Sequence, residues 1–130
     1  MIDTYVLKIY SGCMDMEKNS DKWVIQLRKG VFELAILALI NQRPMYGYEL
    51  TSGLKKLPLF NLTDGAIYPI LKRLSQDNWI VSYWVDSEGG PKRKYYKITE
   101  EGQKILSERW SYYETIYNAL YEIVKGGNKS

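Results

Sequence analysis

Residues 78–98 read NWIVSYWVDSEGGPKRKYYKI, and this stretch decides the fold. IVSYWV is β-branched and aromatic, DSEGGP is rich in turn formers, and KYYKI resumes an extended pattern. The two runs predict a β-hairpin whose loop is longer than the tight two-residue type. Because side chains alternate along a strand, Tyr96 and Ile98 share one face while Arg93 and Lys97 share the other. We therefore expect Tyr96 and Ile98 to fix the hairpin to a core while its basic tip and outer face project.

A helix with two distinct faces is predicted just before the hairpin, in NLTDGAIYPILKRLSQDNWI. Thr63 suits its N-cap, and Asn78 suits the left-handed position that ends a helix. Pro69 removes a backbone donor, so a kink or a loosened first turn is expected there. Helical spacing predicts a buried stripe of Ile67, Ile70, Leu71 and Leu74. The opposite side presents Asp64, Gly65, Tyr68, Lys72 and Ser75, with Arg73 at the margin.

Two further helices are predicted upstream. VFELAILALI, from Val31 to Ile40, is apolar on nearly all sides and indicates a buried helix. Gln42-Arg43-Pro44 ends it, because the residue before a proline avoids helical geometry. A second helix is predicted from roughly Tyr46 to Lys56.

Thr99 is predicted to cap a long C-terminal helix that ends at Gly126-Gly127. Apolar and aromatic residues form two rows along this helix. Packing on the core of the same chain could explain a single row. The double stripe is wider than such a core can cover, which favours a dimer helix. The predicted dimer interface consists of Leu106, Trp110, Tyr113, Ile116, Tyr117, Leu120 and Val124.

Charge is unevenly distributed along the 130 residues, although the net charge is only +3. Residues 22–98 carry twelve Lys and Arg against six Asp and Glu, whereas residues 99–124 carry two against five. A basic module followed by an acidic helix predicts a polyanionic partner for the first part and a different role for the second.

Several classes of function are disfavoured by composition. The chain contains no histidine, which excludes Ser-His-Asp and Cys-His nucleophile systems and histidine-based metal sites. No paired-acid arrangement stands out, so we expect no enzyme activity, no cofactor and no metal. Cys13 is the single cysteine, and LAILALI is too short to span a bilayer. With no signal peptide at the N-terminus, a cytoplasmic protein is expected.

Three helices followed by a hairpin is the order of a winged helix-turn-helix, so the predicted fold class is mainly α with a small β-hairpin. Four blocks resemble the PadR family of bacterial transcriptional regulators: LRKGVFELAILALI, PMYGYEL, GAIYPILKRL and GGPKRKYYKITEEG. They cover about Leu27 to Glu101, in the family's order and spacing. Asn78 departs from the pattern, since many members have glycine there. The expected organisation is an N-terminal extension without an assigned role (1–21), a winged helix-turn-helix (22–98), a dimerisation helix (99–125) and a tail (126–130).

The resemblance also implies partners and site residues. It makes the protein a dimeric regulator, usually a repressor, that binds double-stranded DNA at an inverted repeat. The implied DNA contacts are Tyr46 and Tyr48 near the backbone, Thr63, Gly65, Ala66, Tyr68 and Lys72 on the recognition helix, and Lys92, Arg93 and Lys94 in the wing. Relatives respond to phenolic acids or other flat aromatic compounds, and Trp110 and Tyr113 are the expected effector contacts. The alternative function is a winged helix that binds protein or RNA; a monomer in solution would favour it.

Overall fold

The computed structural model describes residues 22–57, 60 and 65–126. Residues 1–21 and 127–130 lie outside these ranges, as do the predicted DNA contact of Thr63 and the predicted position of Asp64. Helix α1 spans Lys22–Gln42, so it begins well before the predicted start at Val31 and ends before Pro44, as predicted. Gly30 lies inside α1, where a glycine costs only about 0.5–1 kcal/mol relative to alanine, and the helix continues through it.

Two short helices follow. Helix α2 spans Gly47–Lys55, close to the predicted limits. Helix α3 spans Ile67–Gln76, and its N-cap is Ala66 rather than the predicted Thr63. This later start places Pro69 in the first turn, where the helix needs no N–H donor, which explains how the proline is accommodated.

The hairpin consists of β2, Ile80–Ser87, and β3, Gly90–Ile98. Only Glu88 and Gly89 separate the strands, so the prediction of a longer loop was wrong. Gly89 adopts the left-handed φ of 68°, which a tight turn uses, and the ladder is irregular between Val85 and Ser87. Pro91 lies opposite this irregularity, where its missing donor costs no regular ladder bond.

A third strand completes the sheet. Strand β1, Met45–Tyr46, pairs antiparallel with β3, giving the order β1-β3-β2. Met45 lies opposite Tyr96 and Tyr46 lies opposite Tyr95. Two residues are too few to produce a period, which is why the sequence did not predict β1.

One core joins helices α1, α2 and α3 to the sheet. Asn78, at φ 63°, ends α3 and turns the chain into β2, as predicted. The predicted α3 stripe is confirmed, with Ile67, Leu71 and Leu74 fully buried and Ile70 packed against them. The core cluster contains Ile36, Leu37, Ile40, Met45, Leu50, Leu54, Ile67, Leu71, Leu74, Ile80 and Tyr96.

Helix α4 spans Glu100–Gly126, and only Thr99 separates it from β3. The Gly102 amide donates to the Thr99 hydroxyl at 2.9 Å, which confirms Thr99 as the cap. The Thr99 amide donates in turn to the Trp79 carbonyl at 3.0 Å. The start of α4 is therefore fastened to the chain just beyond the end of α3. None of the described helices combines the length and the apolar character that crossing a bilayer requires.

Gly102→Ala is expected to lower the free energy of unfolding by about 1–3 kcal/mol, the usual cost of overpacking. A Cβ at this position would collide with the Trp79 carbonyl and also meet Ile98. Gly30→Ala is the matched control, because a Cβ there would meet nothing within 4 Å. It should stabilise the protein by about 0.5–1 kcal/mol through helix propensity. Urea denaturation followed by circular dichroism measures both, and equal midpoints would contradict the proposed collision.

Candidate nucleic-acid interface

The three consecutive cations lie in strand β3 rather than in the turn. Lys92, Arg93 and Lys94 are all exposed. Because they are consecutive in a strand, Arg93 projects from one face of the hairpin and Lys92 and Lys94 from the other. The hairpin therefore presents positive charge on both faces near its tip. Lys92 is partly balanced by Asp86, 3.8 Å away, in an exposed pair that contributes little energy.

Arg93 is held by aromatic rings on the outer face of the sheet. Its guanidinium carbon lies 4.8 Å from the centre of the Tyr46 ring. Tyr46 also contacts Tyr95, with ring centres 5.3 Å apart, and Tyr95 stacks with Tyr83 at 6.0 Å. Cation–π contact and ring packing reduce the conformations open to Arg93 while leaving its charge available. Tyr46 is thus a platform for the wing arginine as well as the residue that precedes α2.

The recognition helix α3 is fixed against the start of α2 by a close approach. Tyr68 is 53% exposed, yet a Cβ on Gly47 would lie only 2.6 Å from its hydroxyl oxygen. The glycine of the YGYEL motif therefore leaves space for the Tyr68 ring. Since Tyr46 contacts Arg93 and the next residue contacts Tyr68, the start of α2 connects the wing to α3. Tyr48 is exposed beside them.

Most of the predicted DNA contacts therefore lie close to one another. Tyr46, Tyr68 and Arg93 are linked through the start of α2, and Lys72 lies one turn beyond Tyr68. Gly65 and Ala66 form the turn that leads into α3. Thr63 lies outside the described residues.

A carboxylate that sequence reasoning missed joins three helices. Glu33 of α1 accepts a hydrogen bond from Arg73 Nε of α3 at 2.7 Å and pairs with Arg109 of α4 at 3.4 Å. Its side chain is only 17% exposed, which strengthens both interactions relative to a surface pair. The Arg109 guanidinium also lies 4.5 Å from the centre of the Trp79 ring. No sequence period links these residues, which are far apart in the chain.

The predicted effector residues lie away from the DNA contacts, in a groove between α1 and α4. The Trp110 and Tyr113 rings stack with centres 5.7 Å apart and planes inclined by 15°. The groove has a volume of about 730 Å³, within the range of small-molecule sites. Gln103 and Asn41 supply polar groups, joined by a 3.2 Å hydrogen bond. The other lining residues are Val31, Leu34, Ala35, Ala38, Leu57, Phe60, Leu106 and Ser107.

Most of α4 is uncovered in the single chain. Gly102 is its only buried residue, whereas Ile116 is 67% exposed and Leu120 is 57% exposed. Ile105 and Leu106 instead pack partly against the core of their own chain. The remaining predicted interface residues, Trp110, Tyr113, Tyr117 and Val124, are exposed. Monomeric proteins rarely leave an apolar surface of this extent in water.

Within residues 22–57, 60 and 65–126, no three His, Cys, Asp or Glu residues could hold a metal ion together. Helix α3 exposes one side beside a basic hairpin and shares one core with α1, α2 and the hairpin. This arrangement defines a winged helix-turn-helix. This class of fold reads duplex DNA through the helix and uses the hairpin along the backbone or in the minor groove.

Comparison with known proteins agrees. The model of the transcriptional regulator PadR-like family matches residues 36–108. A PadR-like transcriptional regulator from Bacillus cereus is 36% identical, with a TM-score of 0.71 over 77% of this chain and 97% of its own. A Streptococcus transcriptional regulator is 35% identical, with a TM-score of 0.68 over 75% and 96%. An uncharacterised protein of Lysinibacillus sphaericus is 31% identical over 99 residues, 72% of this chain and 91% of that protein.

The chain belongs to the PadR-like family of transcriptional regulators. It is accordingly a DNA-binding regulator of transcription with a winged helix fold.

Proposed function

We propose that this protein is a homodimeric repressor that acts in the cytoplasm and binds an inverted-repeat operator. The supporting observation is the division of its surface into two parts. The cations of the wing and the exposed face of α3 lie around the start of α2, whereas the apolar surface of α4 is left uncovered. Two copies joined through α4 would bury that apolar surface and present two recognition helices with two-fold symmetry. Such a pair fits half-sites about one helical turn of DNA apart.

The proposed dimer interface is the distal part of α4, from Trp110 to Val124. Its apolar side chains occupy one side of the helix, and the side that carries Asn118 is polar. Leu106 already packs against the core of its own chain, so it contributes less to the proposed dimer interface than the distal residues do. Association would remove the apolar side of α4 from water. The hydrophobic contribution to the free energy of association is roughly 25 cal/mol per Å² of apolar surface buried.

The proposed effector is a flat aromatic molecule that occupies the groove between α1 and α4. The stacked rings of Trp110 and Tyr113 offer it an aromatic surface, and Gln103 and Asn41 offer it hydrogen bonds. Glu33 of α1 and Arg109 of α4 lie on the two helices that form the groove. Their ion pair, together with the pair between Glu33 and Arg73, connects both helices to α3. A ligand that favours a different spacing of α1 and α4 would thereby favour a different placement of the recognition helix. It would weaken DNA binding by as much as its affinity differs between the two arrangements.

DNase I footprinting on the promoter beside the protein's own gene tests the proposed operator. We expect protection of an inverted repeat, with protection lost when one half-site is scrambled. Protection of a single unrepeated site, or equal affinity for unrelated duplexes, would overturn this function.

Trp110→Phe is expected to remove most of the tryptophan quenching produced by phenolic acids or planar dyes. The physical reason is that Trp110 lines the groove, whereas Trp79 and Trp84 do not. Trp84→Phe, on the wing, is the control and should keep the response. Quenching that survives in Trp110→Phe would locate the ligand elsewhere.

A further inference from the structure

A second cleft lies between the recognition helix and the inner face of the wing. It has a volume of about 520 Å³. Every described side chain that lines it ends in a hydroxyl, an amide or an ammonium group, so none of the described lining residues is a carboxylate. The residues are Tyr68, Lys72, Ser75 and Gln76 from α3, and Ser82, Lys94 and Tyr96 from the hairpin.

Two different periods bring these residues together. The four α3 residues follow helical spacing and lie on the side opposite the buried stripe. On the hairpin, Ser82 lies directly opposite Tyr96, and Lys94 is two residues before Tyr96 on the same face. Tyr96 is where the core ends, since its side chain is buried while Ser82 and Lys94 are exposed. Next to Tyr96, the inner face of the hairpin therefore presents the Ser82 hydroxyl and the Lys94 ammonium group to the cleft, and the Trp84 ring lies beside Lys94.

The cleft is electropositive because two lysines line it and none of its described lining residues is an acid. Lys72 and Lys94 stand on opposite walls, and neither pairs with a carboxylate anywhere in the part of the chain that the structure describes. The Lys94 ammonium lies 5.8 Å from the Trp84 ring centre and 5.9 Å from that of Tyr96. These rings hold the ammonium group without neutralising it.

The remaining groups in the cleft are hydrogen-bond donors. Burial, with a smaller effect from Tyr68, raises the pKa of the Tyr96 hydroxyl, so it stays protonated. Ser75 and Ser82 add hydroxyls and Gln76 adds an amide. Two ammonium groups and several neutral donors, with no acid among the described lining residues, suit an anion with several acceptor oxygens.

We propose that this cleft binds a phosphate group, and specifically one backbone phosphate per half-site of the bound DNA. The assignment to DNA rests on the proposed function. If α3 enters the major groove and the hairpin follows the adjacent minor groove, the strand between the grooves passes between α3 and the hairpin. Its phosphates then reach the cleft. A free phosphorylated small molecule offers the same chemistry, and the experiment separates the two sources.

The test compares the full-length protein with the double variant Lys72→Gln/Lys94→Gln. The DNA is a duplex selected by the wild-type protein from a random pool, resynthesised with one neutral methylphosphonate at a time. In fluorescence anisotropy, we expect one position per half-site to weaken wild-type binding roughly tenfold, as for loss of a charge-assisted hydrogen bond. In the double variant, the same substitution should have almost no further effect, while other positions keep their penalties. Both lysines are exposed, so the fold should survive, which circular dichroism checks.

Lys29→Gln/Lys104→Gln is the control, since it removes the same charge from exposed positions outside the cleft. It should show the wild-type pattern of penalties. Equal penalties at every position in all three proteins would overturn the phosphate site while leaving DNA binding in place. Failure of the wild type to select any duplex would instead overturn the proposed function, and this assignment with it.

Inorganic pyrophosphate serves as the probe for a free phosphorylated ligand, the other possible source of the phosphate group. Equilibrium dialysis without DNA should show no saturable binding at micromolar concentration. Saturable binding that disappears in Lys72→Gln/Lys94→Gln would overturn the assignment to DNA and give the cleft to a free phosphorylated ligand.

Discussion

Replacing Ile116 and Leu120 together by glutamate is expected to make the protein monomeric and to weaken operator binding by at least about 100-fold. Linked binding of two half-sites typically exceeds binding of one by this factor or more. Both side chains are exposed in the single chain, at 67% and 57%, so no core contact of the monomer is lost. In the proposed dimer they would be buried, and two carboxylates per chain would oppose association. Sedimentation equilibrium measures the mass, and anisotropy with operator DNA measures the affinity.

Asn118→Glu is the matched control for this pair of substitutions. Asn118 is exposed and lies on the polar side of the same helical segment. The variant adds a negative charge to α4 without entering the apolar surface, so it should remain dimeric and bind the operator normally. A monomeric wild-type protein, or a dimer that persists in Ile116→Glu/Leu120→Glu, would contradict an interface built from distal α4.

Replacing Lys92, Arg93 and Lys94 by alanine is expected to flatten the slope of log affinity against log salt by about two to three units. Each phosphate neutralised by a cation releases counterions that contribute about 0.9 to that slope. Lys92 should contribute least, because Asp86 already lies 3.8 Å from its ammonium group. Arg93 is held over Tyr46 and therefore loses less conformational freedom when it binds.

A charge-matched variant separates local contact from net charge. Lys22→Ala/Lys29→Ala/Lys104→Ala removes the same three charges from exposed positions on α1 and α4. Its salt slope should equal that of the wild type, within the small effect of net charge. An unchanged slope in the wing variant would mean that Lys92, Arg93 and Lys94 are only solvated surface.

The parts of the fold that sequence predicted well are those that a local period determines. The α3 stripe, the two-faced hairpin, the left-handed Asn78 and the Thr99 cap each depend on residues within a few positions of one another. The errors arose where local patterns compete. The glycines and proline of DSEGGP resembled a long loop, although an irregular ladder accommodates Pro91 inside β3. Thr63 has a good capping side chain, yet the described helix begins later, at Ile67.

Much of the candidate site depends instead on contacts between distant segments. Glu33 meets Arg73 and Arg109 only because α1, α3 and α4 pack together. Gly47 looks like any turn glycine until Tyr68 is placed above it. The placement of Ser82 on the same face of the hairpin as Tyr96 could have been predicted from the alternation of side chains along a strand. What it faces on α3 is visible only once the tertiary structure is known.

Because the connection between β3 and α4 is short, the length of α4 determines how its distal part is oriented relative to the winged helix. Gly102 lies against the Trp79 carbonyl, which fixes the rotation of the helix about its own axis. Each residue added beyond that contact would turn the distal helix by about 100° and advance it by about 1.5 Å. In the proposed dimer, the number of residues between Gly102 and Ile116 therefore acts as a helical phase. It sets the direction in which each recognition helix faces, as the base pairs between half-sites set the direction in which each groove faces.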